Sequence, residues 1–358
     1  MISMEKEIEN LQKILKRDPS NFQARRELSI LLANNGFNEE ALSNLQFLTK
    51  YFPEDADLHY NLGILYEKLK DFENAKQEYK KAIEISPQED FYYNLGEVLV
   101  NLEEWDEAID AFKTVLKTDS NDGNCYFNLG LCYLYKDELN LATDYFQQAI
   151  NHNPKDMFAH FYLGNIYQNN GLTNFAVESY KKVLSISPDY SWAYFNLASI
   201  SFKNDNIDEA KDYLHKTIEY NKYDIEAYKL LVKIYIRQNE VEEIITILKT
   251  RLEEEGNGDL YYVLAQVYKH INNMVGYRNN LKLAIENYLS LKYPIDIVKK
   301  ELYIIQDEIG FDDEDSSSDE IQEYDEFDEE DDVENEIVEE SELVEEEFDD
   351  FEEDDSDM

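Results

Sequence analysis

The chain has 358 residues, with 79 Asp and Glu against 33 Lys and Arg, a formal net charge of −46. A surface this acidic repels nucleic-acid phosphates and anionic lipid headgroups, so neither is an expected partner. No run of about 18 apolar residues offers a membrane span, and the opening MISMEKEIEN lacks the apolar stretch of a secretory leader, so a cytoplasmic location is expected.

The acid is not evenly spread. From Phe311 to Met358, 29 of 48 residues are Asp or Glu and none is Lys or Arg, which leaves −17 for residues 1–310. The first region has enough aromatic and aliphatic residues to bury a large core. In the second, like charges repel and apolar residues are too sparse to offset the entropy of ordering, so it is expected to be a disordered acidic tail.

In chain order, the first predicted element is a helix over 5–17, with Leu11 and Ile14 on its apolar face and Pro19 just past its end. A repeat follows. Leu-Gly recurs at Leu62-Gly63, Leu95-Gly96, Leu129-Gly130 and Leu163-Gly164, and the slot continues as Leu197-Ala198 and Leu231-Val232. Proline recurs in phase at Pro19, Pro53, Pro87, Pro154 and Pro188, with Ser120 in the missing slot. Each unit is numbered from 1 to 34 with this Gly at position 8. In 123–156, Tyr126, Leu129, Gly130 and Tyr133 then share one helical face, and Ala142, Phe146 and Ala149 form the apolar face of a second helix. Small residues at positions 8 and 20 permit close approach, and large ones at 4, 11 and 24 fill the gaps. Asn35-Gly36 and Asn170-Gly171 mark turns between the helices, and Asp71 is an expected N-cap before Phe72. A last amphipathic helix is predicted over 295–309.

This spacing resembles the tetratricopeptide repeat, whose period and residue pattern are well defined. The resemblance divides the chain into an N-terminal capping half-repeat (1–21), eight repeats over 22–291 (22–55, 56–88, 89–122, 123–156, 157–190, 191–224, 225–257 and 258–291), a C-terminal capping helix (292–310) and the tail (311–358). Units 22–55, 225–257 and 258–291 depart from the pattern, with Ser29 at the Gly slot, Leu45 at the aromatic slot, and Ile244 and Tyr277 where Ala is expected. The implied fold is all-α, a right-handed superhelical solenoid whose first helices line a concave groove. Stacked units need end caps because each buries its apolar face on a neighbour.

The groove-facing positions are the candidate site. Position 6 is Asn61, Asn94, Asn128, Tyr162 and Asn196 in units two to six. An Asn side chain offers two donors and an acceptor that match a peptide bond, so the column is a candidate track for an extended peptide; the alternative is a slot where Asn is simply usual. Position 5 is Tyr60, Tyr93, Phe127, Phe161 and Phe195, with Phe158 and Trp192 at position 2 of their units, all candidate aromatic anchors. Toward the C-terminal end, Lys229, Lys233, Arg237 and Lys269 form a candidate basic end of the groove, read either as a solvated face or as an acceptor for carboxylates. The tail, with Tyr324, Phe327, Phe348 and Phe351 among its acids, is a candidate intramolecular occupant of that end, or else a solubilising bristle.

Chemistry-bearing motifs are missing from the sequence. Cys125 and Cys132 lie seven apart in one predicted helix, roughly 10 Å along its axis. That is too far for a disulfide, so both are expected to be buried thiols in a reducing compartment. The five His form no HExxH, no phosphate loop or CxxC occurs, and no nucleophile–base pair stands out. No enzyme activity, metal or cofactor is expected. The expected function is a non-enzymatic interaction scaffold that binds extended or basic segments of other proteins. The alternatives are a chaperone-like escort of basic proteins through the acidic tail, and a recruiting subunit of an enzyme complex.

Overall fold

The computed structural model describes residues 4–309, with side chains to Ile305. The acidic tail and its proposed return to the groove lie outside the described residues. Those residues are α-helical, with one 3-10 turn and no strand among them. They form two compact units, residues 1–188 and 189 onward.

The first unit holds α1 (Met4–Arg17), α2 (Phe22–Asn34), α3 (Asn38–Thr49), α4 (Ala56–Lys68), α5 (Phe72–Ile85), α6 (Glu89–Asn101), α7 (Trp105–Thr118), α8 (Gly123–Tyr135), α9 (Leu139–His152), α10 (Met157–Asn169) and α11 (Thr173–Ile186). The second holds α12 (Ser191–Lys203), α13 (Ile207–Tyr220), α14 (Ile225–Arg237), α15 (Val241–Glu254), α16 (Gly258–His270), α17 (Met274–Glu286), the 3-10 turn Tyr288–Ser290 and α18 (Ile295–Ile309). From α2 onward the helices pair as hairpins, α2 with α3 through α16 with α17. In the last of these hairpins α16 begins at Gly258, and Tyr277 of α17 is buried.

Local sequence explains where the helices start and turn. Asp55, Asp122, Asp156 and Asp224 each stand one residue before a first helix and accept backbone N–H bonds from its first turn. This satisfies donors that have no partner within the helix. Asp71 caps α5 in the same way, through Asn74. Between the two helices of every hairpin, position 15 has positive φ. Glycine fills it only at Gly36 and Gly171; elsewhere it is Lys70, Glu103, Asp137, Asp205, Asn239 and Asn272. The next amide reaches back over the helix end, as from Asp71 N to the Tyr66 carbonyl at 2.8 Å and from Glu138 N to the Tyr133 carbonyl at 2.9 Å. This closure needs a left-handed residue, which costs a side-chain-bearing residue roughly 1–2 kcal/mol.

Packing within each hairpin turns on positions 8 and 24. A Cβ built on Gly63, Gly96, Gly130 or Gly164 meets the aromatic ring at position 24 (Tyr79, Phe112, Phe146 or Tyr180) at 2.4, 2.7, 2.6 or 2.6 Å. In the other four hairpins position 8 is Ser29, Ala198, Val232 or Ala265, and position 24 is Leu45, Leu214, Leu248 or Leu281. A smaller side chain at 24 thus accompanies every side chain at 8, as close-packed interiors require. All eight position-24 residues are buried.

Several hairpins are clasped by position 4 to the repeat before them. Its polar tip bonds the carbonyl of the residue six back, which closes the preceding repeat. The pairs are Arg25 to Pro19 at 3.2 Å, His59 Nε2 to Pro53 at 2.9 Å, Tyr126 to Ser120 at 3.1 Å, His160 Nε2 to Pro154 at 3.2 Å and Tyr228 to Lys222 at 3.2 Å. Cys125 and Cys132 lie in α8, both fully buried; burial raises both thiols, that of Cys132 to about 12.

Candidate functional site

In the first unit, the first helices present their position-5 and position-6 side chains in register. The position-5 rings are half-buried rather than fully displayed. Each leans on the position-24 ring of its own hairpin: Tyr60 on Tyr79 at 5.8 Å, Tyr93 on Phe112 at 5.8 Å, Phe127 on Phe146 at 5.7 Å and Phe161 on Tyr180 at 6.0 Å. The position-6 amides then bind back to the preceding repeat. Asn94 Nδ2 donates to the Tyr60 hydroxyl at 3.0 Å, and Asn128 Nδ2 donates to the Tyr93 hydroxyl at 3.4 Å. Asn61, first in the column, donates instead to the Asp57 carbonyl of its own helix at 2.7 Å. The Tyr–Asn ladder fixes how each carboxamide points. The Asn94 amide also lies against the Tyr79 hydroxyl, while among the described residues no donor reaches Oδ1 of Asn94 or Asn128.

Carboxylates flank the ladder. Glu67 accepts from the Tyr79 hydroxyl at 2.8 Å. Glu97 is half-buried, and burial holds its carboxyl above the usual range; a bond from Tyr93 opposes this rise and the charge of Glu67 adds to it. Burial, and then the charge of Asp90, raises the Tyr60 hydroxyl. The lysines of these repeats act elsewhere, joining second helices to the next repeat: Lys76 to Glu104 at 2.7 Å and Lys80 to Glu107 at 2.7 Å. Among the described residues no Lys or Arg pairs with Glu67, Asp90 or Glu97, so this helix face carries net negative charge.

The second unit places the remaining candidates. Phe195 and Asn196 are half-buried on α12, whereas Trp192 is 55% exposed. The basic row is not a bare patch. Lys229 Nζ lies 3.2 Å from Glu226 and 5.2 Å from the Tyr293 ring centroid, Arg237 pairs with Asp205 at 3.0 Å, and Lys269 lies 5.9 Å from the Tyr277 ring centroid. Lys233 is half-buried on α14. The chain's own C-terminal segment covers α16. Glu301 of α18 accepts from the Tyr262 hydroxyl at 2.8 Å, from Gln266 Nε2 at 3.0 Å and from the Tyr277 hydroxyl at 2.5 Å. Lys292 N donates to Asp259 at 2.6 Å, and the Tyr293 ring packs 4.3 Å from that of Tyr262. Positions 2, 5 and 9 of the last repeat therefore hold the segment that runs from Lys292 into α18.

Sequence reasoning placed the Asn column and the aromatic slots but missed the Tyr–Asn bonds between repeats. The bonded Tyr and Asn stand 34 and 35 residues apart, at adjacent positions of successive repeats, and that spacing was the available signal. It also missed a cavity of about 430 Å³ in the second unit, beside Trp192. Among the described residues, no three His, Cys, Asp or Glu are grouped to hold a metal ion.

Helical hairpins in tandem, with position 8 packed on position 24, define a repeat scaffold. The chain belongs to the tetratricopeptide repeat family: family models of that description match residues 27–90, 89–122, 123–156, 145–174 and 179–212, together just over half of the chain. Among solved structures it is similar to the C-terminal part of a TPR repeat-containing protein from Cytophaga hutchinsonii, at 18% identity over 75% of this chain and 98% of that one, with a TM-score of 0.50. It is similar to MamA at 28% identity over 45% of this chain and 95% of that one, with a TM-score of 0.43. It is also similar to YrrB, described as a TPR protein with an unusual peptide-binding site, at 26% identity over 51% of this chain and 95% of that one, with a TM-score of 0.44. No curated protein matches the chain. Repeats of this family are protein-interaction scaffolds. No described helix is long and apolar enough to cross a membrane.

Proposed function

We propose that the first unit holds an extended segment of another protein along the Tyr–Asn ladder, gripping its backbone, and that the chain acts as a non-enzymatic scaffold. The observation that carries this reading is the repeated bond from Asn94 to Tyr60 and from Asn128 to Tyr93. Each carboxamide is oriented before a guest arrives, which lowers the entropy cost of binding. Each keeps an acceptor oxygen that can take a peptide N–H, and Asn128 keeps one N–H for a peptide carbonyl besides. The half-buried rings of Tyr60, Tyr93, Phe127 and Phe161 supply apolar floor between the amides. Glu67, Asp90 and Glu97 favour segments that carry Lys or Arg.

The test begins with peptides selected from a random display library against the full chain. Their affinities are then compared between the wild type and an Asn94→Ala, Asn128→Ala double variant. Two lost hydrogen bonds at about 1 kcal/mol each weaken binding by roughly 30-fold. Helical content and unfolding midpoint are measured in parallel. A folded double variant with unchanged affinity would refute the ladder.

A further inference from the structure

The cavity beside Trp192 lies wholly within the second unit. Its walls come from α12 (Trp192), the turn into α14 (Tyr223 and Asp224), α14 itself (Glu226 and Lys229), α16 (Asp259) and the segment before α18 (Lys292 and Tyr293). A volume of about 430 Å³ falls within the usual size of a small-ligand site, and it exceeds a single side chain.

Two kinds of group line it. The first is aromatic. Trp192 is 55% exposed and Tyr223 is 36% exposed, large fractions for such rings at the wall of a cavity. The Tyr223 hydroxyl is held by Glu255, which fixes the ring. The second is acidic. Asp224 and Asp259 are both buried, and Glu226 is exposed on the rim. Asp224 is bound by Ala227 N at 3.1 Å and Asn221 Nδ2 at 3.3 Å, and Asp259 by Lys292 N at 2.6 Å. Burial raises the Asp224 carboxyl, so a cation brought near it repays part of its desolvation. Three carboxylates face two ammoniums, those of Lys229 and Lys292.

Lys229 already shows the chemistry the cavity accepts. Its ammonium sits 5.2 Å from the Tyr293 ring centroid and 3.2 Å from Glu226, a cation between an aromatic face and a carboxylate. An anion entering the same space would meet Asp224, Asp259 and Glu226. This argues against the carboxylate-acceptor reading of Lys229.

We infer that this cavity binds the guanidinium side chain of a partner polypeptide, stacked on Trp192 and paired with the carboxylates of the α14 N-terminus. A planar guanidinium covers an indole face and forks onto carboxylates at once, which an ammonium cannot do. The Lys229 ammonium competes for Glu226, so the site is held weak until a guest displaces it. The inference is independent of the ladder in the first unit; failure of either leaves the other standing.

The chain has two tryptophans, which makes the test direct. Trp105 stacks on Tyr135 in the first unit, with centroids 4.9 Å apart, and serves as an internal reference. The full chain is labelled with ¹⁵N, and both indole N–H resonances are followed while acetyl-Gly-Arg-Gly-amide is added. The same titration is run with the lysine, citrulline and glutamate counterparts. The Trp192 resonance should move saturably with the arginine probe while that of Trp105 stays in place. Citrulline, which keeps the shape and loses the charge, should bind at least tenfold more weakly, and lysine severalfold more weakly. Glu226→Gln, an exposed change, should weaken arginine binding about three- to tenfold, and Lys229→Met should strengthen it. A Trp192 resonance that ignores arginine would overturn the inference. So would citrulline or lysine binding as tightly as arginine, or a response to glutamate that Lys229→Met abolishes.

Discussion

Adding one methyl group at Gly130 tests the packing rule of the hairpins. A Cβ there stands 2.6 Å from Phe146 Cδ1 and 2.7 Å from Cε1, so ring and helix must part by about an ångström. Overpacking of this kind costs about 1–3 kcal/mol, while replacing a mid-helix glycine by alanine returns about 1 kcal/mol of helix propensity. The net for Gly130→Ala is a destabilisation of the first unit of up to about 2 kcal/mol. Phe146→Leu alone leaves unfilled space beside Phe127 and Tyr162, now 5.7 and 5.4 Å from the Phe146 ring centroid, and should cost about 1–1.5 kcal/mol. Together the two changes recreate the Ala198–Leu214 pair that the second unit already contains. The double variant should then be less destabilised than the sum of the singles by about 1 kcal/mol or more. The assay is urea unfolding followed by circular dichroism for wild type, both singles and the double, with slopes compared to check that the unfolding unit is unchanged. Contacts of Phe146 with other rings are lost in both backgrounds and cancel in the cycle. Additive effects within about 0.3 kcal/mol would show that positions 8 and 24 are not coupled.

Lys70 carries a side chain at φ 60°, so Lys70→Gly should raise the unfolding free energy by up to about 1 kcal/mol; a loss would mean the side chain contributes more than the turn costs. Tyr126→Phe removes the clasp to the Ser120 carbonyl and should cost about 1 kcal/mol in a urea titration, whereas an unchanged midpoint would reduce the clasp to an incidental contact. Because the Glu97 carboxyl is raised in the fold, its ionised form opposes folding above its folded value; the penalty fades as pH falls through that value and is gone below the ordinary carboxylate value. Glu97→Gln should accordingly raise the midpoint at pH 7 and have no effect below about pH 4; an equal gain at both pH values would assign it to packing rather than charge.

The parts of this fold that were legible in the sequence are those where one residue type has one physical use. Gly63, Gly96, Gly130 and Gly164 stand where a Cβ would meet a ring, and their phase located the first helices. Gly36 and Gly171 marked the turns because they supply a left-handed residue without strain. The same backbone geometry at Lys70, Glu103 and Asp137 left no such mark, because the hairpin imposes it on whatever side chain is there. The clasp at position 4 was hidden for a related reason: Arg25, His59, Tyr126, His160 and Tyr228 are chemically unlike but all reach one carbonyl. At the candidate site, the Asn column was visible as a period, whereas the half-burial of Tyr60 and Tyr93 depends on rings contributed by another helix. The reach of Glu301 to Tyr262, Gln266 and Tyr277 joins residues 24 to 39 apart in the chain. No local pattern announces such a contact, and it is what encloses α16 and helps to form the cavity beside Trp192.

Replacing single backbone amides of a selected binding peptide by esters tests the central claim most directly. An ester keeps the side chain and shape but deletes one N–H donor and weakens the carbonyl beside it. With a ladder that grips the backbone, esters at two or more positions each weaken binding about fivefold, roughly 1 kcal/mol, in the wild type but not in the Asn94→Ala, Asn128→Ala variant. Esters that bind as well as the parent peptide, with affinity lost instead on trimming one particular side chain, would contradict a backbone-gripping ladder.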